Sequence, residues 1–432
     1  MSIHFSNSDL SGIHRSALDR RVGDDHLQSI HPVRSDAIGQ TASAPNVVHL
    51  TGDFPDPILS FKTTVIRDLV DLTRESFSHD VISLNRRSPA LAELARQLIF
   101  RRALPSLHIE KEPFEYGTAL KYFAPGRGIL HASLLHKLGD ILADRFLEEG
   151  IPDLLVGHKL SIEGIAVRRA AHRLGIPFAI CIQGDTDTKI IKARPDLRIE
   201  LRRIFHEAAM VFSFAPWATE RCKSYLGPRR GSVKSLPCPT ELDVPLRPQA
   251  NGRGIISIFH LKNYRRKNLA GLTQASAILA SQGIESRVSV IGGGQDREFA
   301  ICRKIVGDAE QIMFEGSLDR AGLQQRMNRA IGFALPSFRE SFGLVFIEAL
   351  FAGLPIVYPK GCSIEGYFDG YSFAIPVDAN NPKSIADGMA KLIRDEAHLK
   401  ADLLGWQTSA HAKKFTRTAI ASDFSEGLTE CL

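Results

Sequence analysis

The stretch from Ile331 to Pro359, IGFALPSFRESFGLVFIEALFAGLPIVYP, constrains the fold more than any other part of the chain. Ile331 to Leu335 is an apolar run of strand length, and Pro336 and Ser337 break it. A polar loop with Arg339 and Glu340 leads to Ser341 as an N-cap. A helix is expected from about Gly343 to Gly353, where Pro355 blocks continuation, and Ile356 to Tyr358 reads as a second strand. Strand, helix and strand then make a very short βαβ unit, of the kind that packs into a parallel sheet.

Within that helix Glu348 is surrounded in sequence by Leu344, Val345, Phe346, Ile347, Ala349, Leu350 and Phe351, so it is expected to be buried. An isolated buried charge costs on the order of several kcal/mol, so donors should be waiting for it, from the protein or from a ligand's hydroxyls. An ordinary pairing with a nearby arginine is the plainer alternative. Glu340 lies on the loop at the positive end of the helix, and Gly343 permits close backbone approach, which makes the helix start a site for an anion such as phosphate. Two carboxylates and an anion cradle in one short segment suggest a sugar nucleotide.

At Glu340, Phe342, Gly343 and Glu348 the chain resembles the retaining glycosyltransferases of family 4, whose pattern is a Glu, seven residues and a second Glu, with Phe-Gly shortly after the first. The resemblance implies an α/β protein of the GT-B fold, with two Rossmann-like doubly wound domains facing across a cleft. It also implies that Glu340 contacts the transferred sugar and Glu348 the donor ribose. The pattern is weak alone and becomes specific when joined to the flanking strands and to Gly353-Leu354-Pro355.

At 432 residues the chain is too long for one ordinary core, and its 44% hydrophobic and 24% charged residues are those of a soluble globular protein. No apolar run approaches the roughly 20 residues that span a bilayer, and the polar N-terminus lacks a signal-peptide core, so a cytoplasmic protein is expected. Cys181, Cys222, Cys238, Cys302, Cys362 and Cys431 show no zinc spacing and read as free thiols. The net charge of +6 is gathered in pairs such as Arg86-Arg87 and Arg229-Arg230, without the aromatic interleaving of a nucleic-acid binder. A solvated surface fits them, as does attraction to phosphorylated substrates or to anionic lipid headgroups, the last giving peripheral association with the inner face of a membrane.

In chain order, residues 1–44 lack sustained periodicity and read as a disordered or loosely attached tail. Residues 45–248 read as an acceptor-side Rossmann-like domain. A first strand at Val47 to Leu50 runs into a loop with Gly52 and Asp53; a helix follows from Lys62 to about Arg74, then a strand at Val81 to Leu84. A basic amphipathic helix from Ser88 to Leu104, with Arg96, Arg101 and Arg102, fits a membrane surface or the core equally. After a turn at Pro125 to Gly128 come a long helix to about Glu149, a strand at Leu154 to Gly157 leading to His158, and a strand at Phe178 to Ile182. That last strand ends in a loop at Gln183, Gly184, Asp185, Thr186 and Asp187, and many family members have a His where Gln183 stands. The Asp-x-Asp triplet is read as a polar cleft loop with Asp185 touching an acceptor hydroxyl, not as a metal site. The linker holds Pro237, Pro239, Pro245, Pro248, Gly252 and Gly254.

Residues 249–405 read as the donor-binding domain, and residues 406–432 as a helical tail of the sort that crosses back to the first domain in the GT-B fold. The strand Ile255 to Phe259 ends in a basic cluster where a diphosphate would be neutralised: Lys262, Arg265, Arg266 and Lys267, followed by Asn268. Lys267 and Asn268 match the family's Lys and Gly-or-Asn, and Lys262 stands in place of its Arg. The loop Gly292 to Gly294 resembles the family's Gly-x-Gly loop, and Phe314 with Glu315 the loop that meets the base. Glu340, Lys267 and Lys262 are therefore expected to act in catalysis. Arg265, Gly292, Gly294, Phe314, Glu315, Phe342, Gly343, Leu344 and Glu348 would hold the donor; Gly52, Asp53, His158, Gln183 and Asp185 would face the acceptor. With those cations neither metal nor cofactor is required. The expected partners are a nucleotide-sugar donor and a sugar or lipid-linked sugar acceptor, in cell-surface polysaccharide or glycoconjugate synthesis. A sugar-nucleotide-binding protein without transfer activity and a GT-B-type epimerase are the alternatives.

Overall fold

Strand sequences that are apolar on every residue need cover on both faces, and this chain supplies it twice. The computed structural model describes residues 44–88, 109–124, 130–285, 287–307, 309 and 311–432. The predicted tail, the basic helix at 88–104 and the Pro125–Gly128 turn lie outside them, apart from Ala44 and Ser88. The N-terminal sheet holds β1 (Asn46–Thr51), β2 (Ser78–Arg87), β3 (Ile109–Phe114), β4 (Gly117–Phe123), β5 (Leu154–Gly157), β6 (Phe178–Ile182), β7 (Met210–Ser213) and β8 (Ser232–Ser235), in the spatial order β3-β4-β2-β1-β5-β6-β7-β8. Alternate residues serve opposite faces. Val47, Leu154, Val156, Ala179, Cys181, Met210 and Phe212 enter one apolar cluster, and Val48, Leu50, Leu155, Ile180 and Val211 enter the other.

The C-terminal sheet holds β9 (Ile255–Ile258), β10 (Val288–Ile291), β11 (Ile312–Gly316), β12 (Gly332–Ala334), β13 (Ile356–Pro359) and β14 (Ala374–Val377), ordered β11-β10-β9-β12-β13-β14 with every pairing parallel. Chain direction across the sheet reverses between β9 and β12, and in the other sheet between β1 and β5. Such switch points leave a crevice at the carboxyl ends of the strands. The loops after β9 and β12 are therefore neighbours, as are those after β1, β5 and β6.

Two stretches differ from the sequence reading. The β3–β4 hairpin carries no apolar run that announces it: Glu110, Lys111 and Glu112 are exposed on an antiparallel edge strand, where charge guards against further pairing. Asp185, Thr186 and Asp187 do not form a loop but the first turn of the helix Asp185–Ala193, where carboxylates favour the positive end of the dipole. The last helix, Arg417–Thr429, lies on the N-terminal half. Lys234 reaches Glu426 at 3.1 Å and Glu430 at 3.2 Å, and the Phe424 ring meets Phe212 edge-on at 5.1 Å. Among the described residues no helix is long and apolar enough to cross a membrane.

Candidate functional site

A cleft of about 640 Å³ lies between the carboxyl ends of the two sheets. Its C-terminal wall is built by the loops after β9 and β12. Asn268 takes a left-handed conformation (φ +61°), accepts from Gly271 N–H at 3.0 Å and donates to Ala379 O at 2.8 Å, so it starts the helix Leu269–Ser281 and fixes Lys267 just before it. Asn tolerates that conformation better than most residues. Lys267 Nζ pairs with Glu340 of the neighbouring loop in the same wall, each side chain only 11% exposed. The two loops are tied together by Phe338 N–H donating to Arg266 O at 2.9 Å. Beside the pair, Gly343 (φ +83°) caps the helix Leu344–Phe351, and Phe342, Gly343, Leu344 and Val345 line the cleft. The early N–H groups of a helix have no partner within it, so an acceptor placed there finds donors and a favourable dipole.

Glu348 is not sealed in the core as the sequence suggests. The helix turns Phe346, Ile347, Ala349 and Leu350 inward and Leu344, Val345 and Glu348 toward the cleft, leaving the carboxylate half-buried in its wall. Oε1 accepts from the Thr240 hydroxyl at 2.9 Å, and burial pushes its pKa above the usual carboxylate range. No arginine lies within ion-pair distance of it among the described residues, so the plainer pairing with arginine is not what holds it.

The N-terminal wall gathers residues after β1, β5 and β6. Asp53 forms an ion pair with Lys159, whose pKa burial would lower but the neighbouring carboxylates of Glu163 and Asp53 raise. Behind them Glu163 Oε1 accepts from Gly52 N–H at 2.7 Å, and burial lifts this carboxyl to about 7. Asp187 Oδ1 accepts from Ser161 N–H at 2.8 Å and from its hydroxyl at 2.6 Å. Gln183, Gly184 and Thr186 complete this side. Gly184 lies so close to the opposite wall that a Cβ would stand 2.6 Å from that of Ser341. The Trp217 indole bridges the halves, donating to Ser341 O at 3.1 Å and Ser363 O at 3.0 Å.

Of the predicted residues, the cleft brings together Lys267, Glu340, Phe342, Gly343, Leu344, Glu348, Asp53 and Gln183. Several others lie elsewhere. Lys262 is exposed in a 3-10 turn, Leu261–Asn263, that carries it off the cleft, and Arg265 folds over Tyr264, donating to its hydroxyl at 2.9 Å. Arg266, His260 and Asn263 line the cleft instead. His158 is fully buried, 3.1 Å from His49 and 3.4 Å from Cys181 Sγ, because strand alternation points it into the core. Asp185 is held by Lys189 at 2.9 Å and Arg339 at 2.7 Å, which pull its pKa down against burial, while Asp187 faces the cleft. Gly52 sits behind Asp53 against Glu163. Gly292 packs on the Phe259 backbone and Gly294 on Leu261, so both serve the packing of β10 beside β9. Glu315 is spent on Arg326 at 2.7 Å, with Phe314 packed beside Phe299, away from the cleft.

Residues 248–404, which include the whole C-terminal sheet, Lys267 and both carboxylates, match the family model of glycosyl transferases group 1. The C-terminal half is thus similar to the glycosyl transferases group 1 domain. A D-inositol 3-phosphate glycosyltransferase of Corynebacterium jeikeium is 27% identical over 189 residues, 42% of this chain and 43% of that protein, so the chain spans less than half the length of this curated relative. In structure the likeness extends well beyond the group 1 domain. Sucrose-phosphate synthase from Thermosynechococcus elongatus superposes with a TM-score of 0.62 at 17% identity, covering 89% of this chain and 98% of that one. Anabaena HepE, solved with UDP and glucose, superposes with a TM-score of 0.56 at 13% identity, covering 89% and 99%. The fold is therefore GT-B, as the family 4 resemblance implied.

Proposed function

We propose that the chain is a retaining glycosyltransferase that moves a sugar from a UDP- or GDP-sugar to an acceptor hydroxyl. The observation that carries this reading is the Lys267–Glu340 pair set beside the N-terminus of the Leu344–Phe351 helix, with Glu348 farther along the same wall. A diphosphate placed over Lys267, Arg266 and the helix start meets positive charge where its own negative charge grows as the bond to the sugar breaks. Glu340 then grips the sugar's hydroxyls and Glu348 the ribose. The acceptor hydroxyl attacks from the face the diphosphate leaves, passing its proton to the departing phosphate oxygen, so configuration is kept without a protein nucleophile. These cations do the work for which a divalent metal is otherwise recruited, and no metal is required in this reading. UDP and glucose in the HepE structure support a nucleotide-sugar donor. We further assign the activity to cell-surface polysaccharide or glycoconjugate synthesis on a sugar or lipid-linked sugar, by a cytoplasmic protein held at the inner membrane face, with the basic balance of +6 in support.

The test is nucleotide release from UDP- and GDP-sugars, with chelator and with added metal. Lys267→Ala and Glu340→Ala are each expected to lower the rate about a hundredfold or more, the scale on which single charge-stabilising groups act. Full rates in both variants would sink the assignment.

A further inference from the structure

The acceptor half of the cleft has its own charge pattern, unlike that of the donor half. Among the described residues lining it, Lys159 is the one cation, and Asp53 already occupies it. Asp187 lines the same wall at 1% exposure, and its Oδ2 has no hydrogen-bond partner; the same holds for the Nε2 of Gln183 beside it. Directly behind stands Glu163, also 1% exposed, with Oε2 unpartnered. Buried polar atoms are seldom left unpaired, and a carboxylate oxygen and an amide N–H on one wall fit groups that both donate and accept. A hydroxyl does both. A phosphate dianion offers only acceptors, and it would compete with Asp53 for Lys159, the cation that Asp53 already holds.

Resting on the glycosyltransferase reading, we propose that Asp53, Lys159, Gln183 and Asp187 form an acceptor subsite for an uncharged polyol, so the part of the acceptor that enters the cleft is not phosphorylated. The chain thus parts from its corynebacterial relative, whose name specifies D-inositol 3-phosphate. Like charges brought together at such a wall disfavour the phosphorylated compound, and a tenfold preference corresponds to about 1.4 kcal/mol.

The experiment measures nucleotide release from the accepted donor with matched pairs: glucose and glucose 6-phosphate, myo-inositol and inositol 3-phosphate, glycerol and glycerol 3-phosphate. Buffer alone, with water as acceptor, is the blank. At least one neutral compound is expected to raise release above the blank and to exceed its phosphorylated partner about tenfold or more. In Asp53→Asn, which frees Lys159 and removes a negative charge, that ratio is expected to shrink about tenfold. Because it is a ratio within one protein sample, partial loss of folding cancels. A phosphorylated member outrunning its neutral partner overturns the inference, as does a blank-level rate with all six compounds or a ratio unchanged in Asp53→Asn. A protein that binds neither UDP nor GDP defeats the transferase reading itself, an outcome separate from these.

Discussion

At Gly343 the backbone turns with φ +83°, and a Cβ there would stand 2.8 Å from the Phe346 ring and 2.9 Å from Ser363 Oγ. A side chain in that conformation costs about 1–2 kcal/mol before any clash is counted. Gly343→Ala should therefore leave a folded protein whose helix start has moved, with nucleotide affinity weakened about tenfold; calorimetric titration with UDP and GDP reads it, and unchanged affinity would remove the anion cradle from the account. Glu348 makes a second prediction. Its pKa is raised by burial, so acidification neutralises it earlier than an ordinary carboxylate, and affinity for the nucleotide should fall over that range. Glu348→Gln, fixed in the neutral form, should bind weakly at every pH and lose this dependence. These residues were legible because spacing and chemistry agree: Glu340, Phe342, Gly343 and Glu348 follow from a loop and a helix start. Lys262 against Arg266 was not legible, since a short 3-10 turn sets which member of a basic cluster faces inward. Asp185 against Asp187 depended on the phase of a helix that the polar triplet gave no reason to begin there.

Among the elements, β1, β2 and β5 carry a line of imidazoles through the N-terminal core. His49 lies 3.1 Å from His158 and 2.9 Å from His79, whose other nitrogen meets Thr73 Oγ1 at 2.9 Å. Burial lowers all of them, His79 to about 4 and His158 to about 3, so the folded protein keeps them neutral where an unfolded chain binds protons. Between the unfolded value near 6.5 and those folded values the unfolded state holds more protons, and stability must rise with pH. The melting temperature is expected to fall from pH 6.5 toward pH 4.5, with net uptake of more than one proton on unfolding. His79→Gln should reduce that uptake by about one proton. A melting temperature flat across this window would show the histidines already satisfied in their charged forms. Sequence placed His158 at a strand end and assigned it outward; alternation settled its direction, and alternation is readable only when both faces are known. The β3–β4 hairpin escaped for a related reason, since a charged edge strand carries no apolar signal.

At the scale of the whole molecule, the cleft exists because two sheets present their switch points to each other, and contacts across it hold that arrangement. Trp217 supplies hydrogen bonds to two carbonyls of the opposite half, and Arg339 reaches Asp185 at 2.7 Å. Exposed ion pairs of this kind are worth little. The larger cross-link is the last helix, which starts from the C-terminal half and buries Phe424 completely on the N-terminal one, against Phe212 at 5.1 Å and His49 at 6.3 Å. Gly427 lets this helix settle on the Phe212 ring, which a Cβ would strike. Removing a buried phenylalanine costs about 3–5 kcal/mol. Phe424→Ala takes that cost from one seam, so the effect should differ in kind from a cavity deep within either sheet. The N-terminal half loses the cover over Phe212 and His49 while the C-terminal sheet keeps its own core. Scanning calorimetry of the wild type should show one transition, and of Phe424→Ala two, the lower one sensitive to acid through the exposed imidazoles and the upper one responsive to UDP or GDP. A single transition shifted downward in the variant would mean that the halves remain coupled through the cleft contacts, and that the terminal helix adds stability without joining them.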